Sequence, residues 1–216
     1  MKALITAGGR ATRLRPITWT INKHLIPLAN KMMIVHAIEK IVSAGIFEIG
    51  INISVGDREM KQALGDGERY GARLTYIEQV GGPLGLGHIL KIAESFLAGE
   101  PFVFYLGDNI ILGSIAPFVE KFKKGGFDAL LALARVRDPE RFGVPEIRDG
   151  KIVRIIEKPV SPPSPFAVTG IYCYSPKIFS SVHAIAPSAR GEYEISDVHT
   201  HCIESGAKVG YEEITG

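Results

Sequence analysis

Cysteine is scarce: Cys173 and Cys202 are the only two in 216 residues, and they stand far apart without metal-ligand spacing. That excludes a disulfide-stapled scaffold and a thiolate metal site, and reads as two reduced, inert thiols. Neither sign of charge dominates. The 25 Lys and Arg against 23 Asp and Glu leave a formal net charge of +2, too little for a general affinity to nucleic acid or an anionic membrane. Long hydrophobic runs are missing, so no membrane span is expected. The apolar stretch in "MKALITAGG" is too short for a signal peptide, which makes the cytoplasm the expected compartment. There is no internal repeat, low-complexity tail or linker, so one domain over 1–216 is expected, long enough to bury a sizeable core. Two common phosphate-binding fingerprints are absent as well. In "TAGGRATRLRP" the dinucleotide pattern wants glycine at the first, third and sixth places. Counted from Gly9 those later places are Ala11 and Leu14, and counted from Gly8 they are Arg10 and Arg13. No Gly-Lys-Ser/Thr follows, which excludes a Walker loop.

What is present is a regular alternation. Nearly half the residues are apolar, in short runs separated by helical patterns. "KALIT" (2–6), "FEIGINI" (47–53), "RLTYIEQ" (73–79), "PFVFYLGD" (101–108), "DALLALARV" (128–136), "FAVTGIYCY" (166–174) and "KVGYEEI" (208–214) read as strands. Between them, helices are expected over 31–44, 57–64, 87–97, 114–124 and 194–205, several ended by glycine. Ser175-Pro176 has the form of an N-cap followed by proline at the first helical position. This rhythm predicts an α/β, Rossmann-like, mostly parallel mixed sheet with helices on both faces. After about residue 140 the pattern changes. Asp149-Gly150 between strand-like runs signals a hairpin, and "PVSPPSP" (159–165) an exposed loop, so a small antiparallel subregion is expected there.

In open α/β sheets ligands bind beyond the carboxyl ends of the strands. That rule selects "AGGRATRLR", "QVGGPLGLGH", Gly107-Asp108-Asn109 and Glu157-Lys158-Pro159. Glycines let backbone N–H groups approach phosphate, and Arg and Lys add charge-assisted donors. Asp108, an acid ending an apolar strand, suits a divalent cation that bridges phosphates. Its alternative is a helix cap for 114 onward or a turn-former beside Asn109. Glu192, Glu194 and Asp197 read as first-turn acids on a helix dipole. Spacing puts His199 and His201 on different helix faces rather than on one metal. Arg135, Arg137 and Arg141 read as a solvated rim, and Arg15 as a surface or salt-bridging residue.

"AGGRATRLRPIT", "INKHLIP", "YLGDNI", "RFGV", "EKP", "AVTGIYCY" and "RGEYEISDV" together resemble, in order and spacing, the sugar-1-phosphate nucleotidylyltransferases, with the pattern of glucose-1-phosphate thymidylyltransferase nearest. The resemblance covers nearly the whole chain. It implies transfer of a nucleotidyl group from a nucleoside triphosphate to a sugar 1-phosphate with Mg²⁺, dTTP and glucose 1-phosphate being the first expectation. It further implies that Gly8 and Gly9 lie against the nucleotide, that Arg13 holds its phosphates and that Lys23 helps bind them. Gln79 matches the base-reading glutamine, Gly85 the second glycine loop and Asp108 a Mg²⁺ ligand. Gly143, Glu157 and Val168 match sugar contacts, and Lys158 and Arg190 match cations on the sugar phosphate. Arg13, Lys23, Asp108 and Lys158 carry the transfer in this reading. Uridylyl or guanylyl transfer, or a nucleotide- or sugar-phosphate-binding regulatory domain, are the alternatives, and a homo-oligomer is compatible with each. Ala11 stands where many relatives have glycine. In the family a W-x-D-x-G-like segment with a second Mg²⁺ ligand follows the last strand, whereas no aspartate follows Asp197 here. The resulting expectation is a chain truncated relative to the family, binding nucleotide with weak or no turnover.

Overall fold

The computed structural model describes residues 1–9, 14, 16, 18 and 21–214. Its frame is set by central strands that are apolar on both faces. β1 (Lys2–Thr6), β4 (Glu48–Ser54), β5 (Arg73–Gln79), β6 (Phe102–Leu106), β7 (Ala129–Arg135), β10 (Phe166–Tyr174) and β11 (Val209–Glu213) form one sheet in the order β11-β7-β10-β6-β1-β4-β5. β1 runs parallel to β4 and β6, β4 parallel to β5, and β7 parallel to β11. β10 alone is antiparallel, inserted between β6 and β7.

Alternate residues of each strand enter different cores, as the two-residue period of a strand requires. Ala3, Ile5, Ile49, Ile51 and Val103 face α1 (Met33–Ser43), α2 (Arg58–Leu64) and α4 (Ala116–Gly125). Leu4, Phe104, Leu131, Tyr172 and Tyr174 face α3 (Leu86–Leu97), α5 (Ile178–Ala184) and α6 (Ile195–Glu204). Helices therefore cover both faces, as the alternation predicts. The late antiparallel unit is the hairpin β8 (Gly143–Arg148) and β9 (Lys151–Glu157). Its turn places Asp149 at φ 49 and Gly150 at φ 71, the paired positive angles of a type I′ turn. Among the described residues no helix is long and apolar enough to cross a membrane.

Two local expectations are corrected. Lys31 and Met32 do not begin α1 but form β3 (Lys31–Met32), paired with β2 (Pro27–Leu28). Ala29 and Asn30 make the turn with φ of 48 and 66. Alanine rarely adopts that angle, so nothing in its identity marks the turn. Ser175 does not cap α5 either. Its hydroxyl donates to Asp128 Oδ1 at 3.3 Å, and the helix starts only at Ile178 after a single tight turn.

Candidate active site

The carboxyl ends of β1, β5 and β9 and the N-terminal turns of α3 and α6 enclose a cavity of about 540 Å³. Gly8, Gly9, Gln79, Gly85, Gly143, Glu157, Lys158, Val168 and Arg190 all line it. Residues expected at opposite ends of a nucleotide–sugar pair thus share one space. Arg13, like Arg10, Ala11 and Arg15, lies outside the described residues.

Around the glycines the wall is built for close approach. A Cβ on Gly8 would stand 3.2 Å from both Asn52 Oδ1 and Gln79 Oε1. Asn52 is the register partner of Thr6, and Gln79 ends β5 opposite Ser54. Asn52 is fully buried and donates Nδ2 to the Ile77 carbonyl at 3.3 Å, while its Oδ1 has no partner among the described residues. The motifs miss Asn52, whose only signal is an amide inside the apolar run "IGINI". Gly85 has φ 91 and ψ 172, a region essentially confined to glycine. A Cβ there would lie 2.6 Å from the Tyr193 carbonyl oxygen. The contact is that tight because Tyr193 N donates to Leu84 O at 2.8 Å and Gly87 N to Tyr193 O at 2.9 Å. These bonds tie the glycine loop before α3 to the segment carrying Arg190.

Another part of the wall is charged. Lys158 follows β9 with φ 44, held there as its N–H donates to Phe142 O at 2.9 Å. Its Nζ lies 3.0 Å from Glu157 Oε1, and Arg190 reaches the same oxygen at 3.7 Å. Arg190 also donates to Glu194 Oε1 from Nε (3.2 Å) and a terminal nitrogen (2.8 Å), and Ser188 Oγ donates to that oxygen at 2.8 Å. Glu194 therefore corrects the first-turn reading. It sits at the N-cap of α6, but its carboxylate makes no capping bond and anchors Arg190 instead. Asp197 does stand in the first turn, its carboxyl pushed up by partial burial and by the charges of Glu194 and Glu157. Glu192 and Arg141 belong to the cavity wall, Arg141 paired with Asp138 at 2.7 Å.

Asp108 and Lys23 lie beside this cavity rather than in its wall. Gly107 N donates to Thr6 O at 3.0 Å, and a Cβ on Gly107 would meet that oxygen at 2.5 Å. The end of β6 is thereby pressed against the end of β1, next to Gly8. Asp108 Oδ2 accepts from Lys23 Nζ at 2.5 Å, with the Asp108 side chain 40% exposed. Burial raises the Asp108 carboxyl, but the hydrogen bond and charge of Lys23 outweigh it, and the group sits below the usual carboxylate range. Asn109 donates Nδ2 to Asp108 Oδ1 at 3.2 Å and accepts from Gly170 N at 3.1 Å, beside the register shift in β10. The capping alternative for Asp108 is not borne out: the N-cap of α4 is Ile115, without a side-chain cap, and the nearby Ser114 Oγ accepts from Ala116 N at 3.1 Å. Lys23 is braced from behind: Asn22 Oδ1 accepts from His24 N at 3.0 Å, and Asn22 Nδ2 donates to Asp57 Oδ2 at 3.0 Å. Asp57 in turn caps α2 through Met60 N at 2.9 Å.

No group of three or more His, Cys, Asp or Glu able to hold a metal occurs among the described residues. Asp108 offers one partly exposed carboxylate. That fits a cation which takes one or two protein carboxylates and completes its shell with phosphate and water. His199 and His201 point apart, one to Tyr174 and the other to Ser181 Oγ at 3.0 Å.

Comparison with known proteins gives a consistent picture. The family model described as nucleotidyl transferase matches residues 2–214. The low-salt glycan biosynthesis nucleotidyltransferase Agl11 of Haloferax volcanii is 41% identical over 218 residues, covering 100% of this chain. A glucose-1-phosphate thymidylyltransferase of Streptomyces griseus is 44% identical over 217 residues, also covering 100% of this chain. The chain spans 61% of the length of each of these two relatives. A Bacillus anthracis protein solved with sucrose, assigned provisionally as a glucose-1-phosphate thymidylyltransferase, superposes with a TM-score of 0.92 at 40% identity. That match covers 100% of this chain and 87% of the other.

Proposed function

The chain belongs to the nucleotidyl transferase family, and from that premise we propose that it transfers a nucleotidyl group from a nucleoside triphosphate to a sugar 1-phosphate. The relatives named as thymidylyltransferases make dTTP and glucose 1-phosphate the first pair to test. One observation carries the reading. Glycine loops with a buried glutamine and the Lys158–Glu157–Arg190 cluster line a single cavity.

The chemistry asks for positioning and charge neutralisation more than for covalent participation. A sugar-phosphate oxygen bonds to the α-phosphorus, the bond from that phosphorus to the bridging oxygen breaks, and pyrophosphate leaves. The attacking phosphate is an anion at neutral pH, so no side chain need take a proton. Lys158 and Arg190 would bind that anion, and Glu157 and Glu194 hold the two cations in place. Lys23, with Arg13, would bind the triphosphate. Glu157, together with Gly143 and Val168, is suited to the sugar. Gln79 and the Gly8 and Gly85 turns would receive the base and ribose at close range, and Gln79, largely buried, can present a fixed amide edge.

Asp108 is the residue that would hold Mg²⁺. The cation, when bound, supplies Lewis-acid stabilisation of charge on the phosphates. A triphosphate substrate also fits the cytoplasmic location that we retain as part of this proposal.

The test is pyrophosphate release over a panel of triphosphates and sugar 1-phosphates. Release that requires both substrates, and is fastest with dTTP and glucose 1-phosphate, is the expected result. Release without any sugar dependence, or none with any pair, would overturn the assignment.

A further inference from the structure

One contact beside the cavity joins two residues that the transfer would use separately. Lys23 Nζ donates to Asp108 Oδ2 at 2.5 Å, and among the described residues each is the other's only ion-pair partner. The second carboxylate oxygen is engaged too, since Asn109 Nδ2 donates to Oδ1 at 3.2 Å. A divalent cation binds through carboxylate lone pairs. At Asp108 it would meet the full charge of an ammonium one hydrogen bond away, and like charges that close repel strongly. The carboxylate therefore favours one cation at a time, lysine or metal.

The two partners differ in freedom. Asp108 is held by both neighbours: Gly107 N donates to Thr6 O at 3.0 Å, and Asn109 Oδ1 accepts from Gly170 N at 3.1 Å. Lys23 combines a fixed backbone with a free stem. It opens a single 3-10 turn over Lys23–Leu25, which Asn22 Oδ1 caps through His24 N. Asn22 Nδ2 also donates to Ala7 O at 3.4 Å, next to Gly8. His24 is 3% exposed, and its Cδ2 would lie 3.1 Å from a Cβ on Gly107. The turn is thus wedged between the end of β6, which bears Asp108, and the glycine turn after β1. The Lys23 side chain itself is partly exposed. Its compact charge on a flexible stem can rotate from Asp108 towards phosphate at the glycine turn while the backbone stays in place.

We propose that Lys23 and the divalent cation compete for Asp108, and that a triphosphate decides the competition by drawing the ammonium onto its own oxygens. This rests on the reading of Asp108 and Lys23 given above. Lys23 neutralises Asp108 until nucleotide arrives, so the cation enters with the triphosphate rather than before it. The coupling is reciprocal. Whatever factor the triphosphate adds to the metal affinity of Asp108, the metal adds to the affinity for triphosphate.

Mn²⁺ titration of the full chain tests this without requiring turnover, binding being read from the water-proton relaxation rate, which rises when a protein holds the ion. Without nucleotide, Lys23→Met is expected to bind Mn²⁺ about tenfold more tightly than wild type, the equivalent of one charge-assisted hydrogen bond. The gain should vanish in the double variant Lys23→Met/Asp108→Asn. With dTTP, wild type should bind Mn²⁺ at least as tightly as nucleotide-free Lys23→Met, and Asp108→Asn should not. A merely structural ion pair would move the melting temperature and leave the Mn²⁺ affinity where it was. Lys23→Gln serves as the second variant should Lys23→Met fail to fold. Equal Mn²⁺ affinity of wild type and the Lys23 variant without nucleotide, beside an Asp108-dependent site with dTTP, overturns this inference alone. No Asp108-dependent binding, with or without dTTP, overturns the reading of Asp108, and this inference with it.

Discussion

Substituting alanine at two glycines of the loop before α3 separates backbone strain from close approach. Gly82 and Gly85 have nearly the same φ, 89 and 91. A methyl on Gly82 would meet nothing within 4 Å, whereas on Gly85 it would lie 2.6 Å from Tyr193 O and 2.9 Å from Tyr193 N. Gly82→Ala therefore incurs the left-handed strain alone, about 1–2 kcal/mol. Gly85→Ala incurs about 1–3 kcal/mol of strain and a further ~1–3 kcal/mol for overlap with backbone that cannot rotate away. For a domain of this size each kcal/mol lowers Tm by about 2–4 °C. The expected drops are about 4 °C for Gly82→Ala and about 12 °C for Gly85→Ala, read by thermal unfolding under circular dichroism. The Gly85 variant should also lose affinity for glucose 1-phosphate. The methyl can be accommodated only by opening the Tyr193 bonds to Leu84 and Gly87, which releases the segment that carries Arg190. Equal melting temperatures for the two variants would refute this account of why the loop needs glycine at 85.

Two further outcomes follow from the charges. Asp108→Asn should leave Tm nearly unchanged, because an exposed ion pair contributes at most about 1 kcal/mol, while turnover falls about a hundredfold or more. A rate equal to wild type would remove Asp108 from the site. His199 makes stability depend on acid. Burial depresses its pKa from 6.5 to about 3, so between those values the unfolded chain binds the extra proton. Stability is then complete above pH 6.5 and falls as the pH drops towards 3. Between pH 6.5 and 4.5 the loss from this residue is about 2.3 kcal/mol. Urea midpoints at the two pH values should differ less in His199→Asn than in wild type, and an unchanged difference would contradict the argument.

The sheet was legible because buried strands and amphipathic helices each leave a local period, and because Asp149-Gly150 names its own turn. Residues that line the cavity were legible where motif and strand end coincide, as at Gly8, Gln79 and Lys158. What stayed hidden depends on partners distant in the chain. Asn52 acquires meaning only beside Gly8 and Gln79, and the Asn22–Asp57 brace only when α2 packs behind Lys23. Ser196 and His199 look like ordinary helix residues until the fold brings both to the cavity wall. Glu194 was misread for the same reason. A helix N-terminus explains an acid locally, and only the fold brings Arg190 and Ser188 to it.

The central claim, that an α-phosphorus changes partners, is tested most directly by following labelled phosphate. With dTTP labelled at the α-phosphorus and glucose 1-phosphate present, radiolabel should appear in a nucleotide sugar, and with the γ-label it should appear only in pyrophosphate. This assay detects slow turnover as well as fast. γ-Label found on the sugar, or α-label found only in free dTMP, would contradict nucleotidyl transfer.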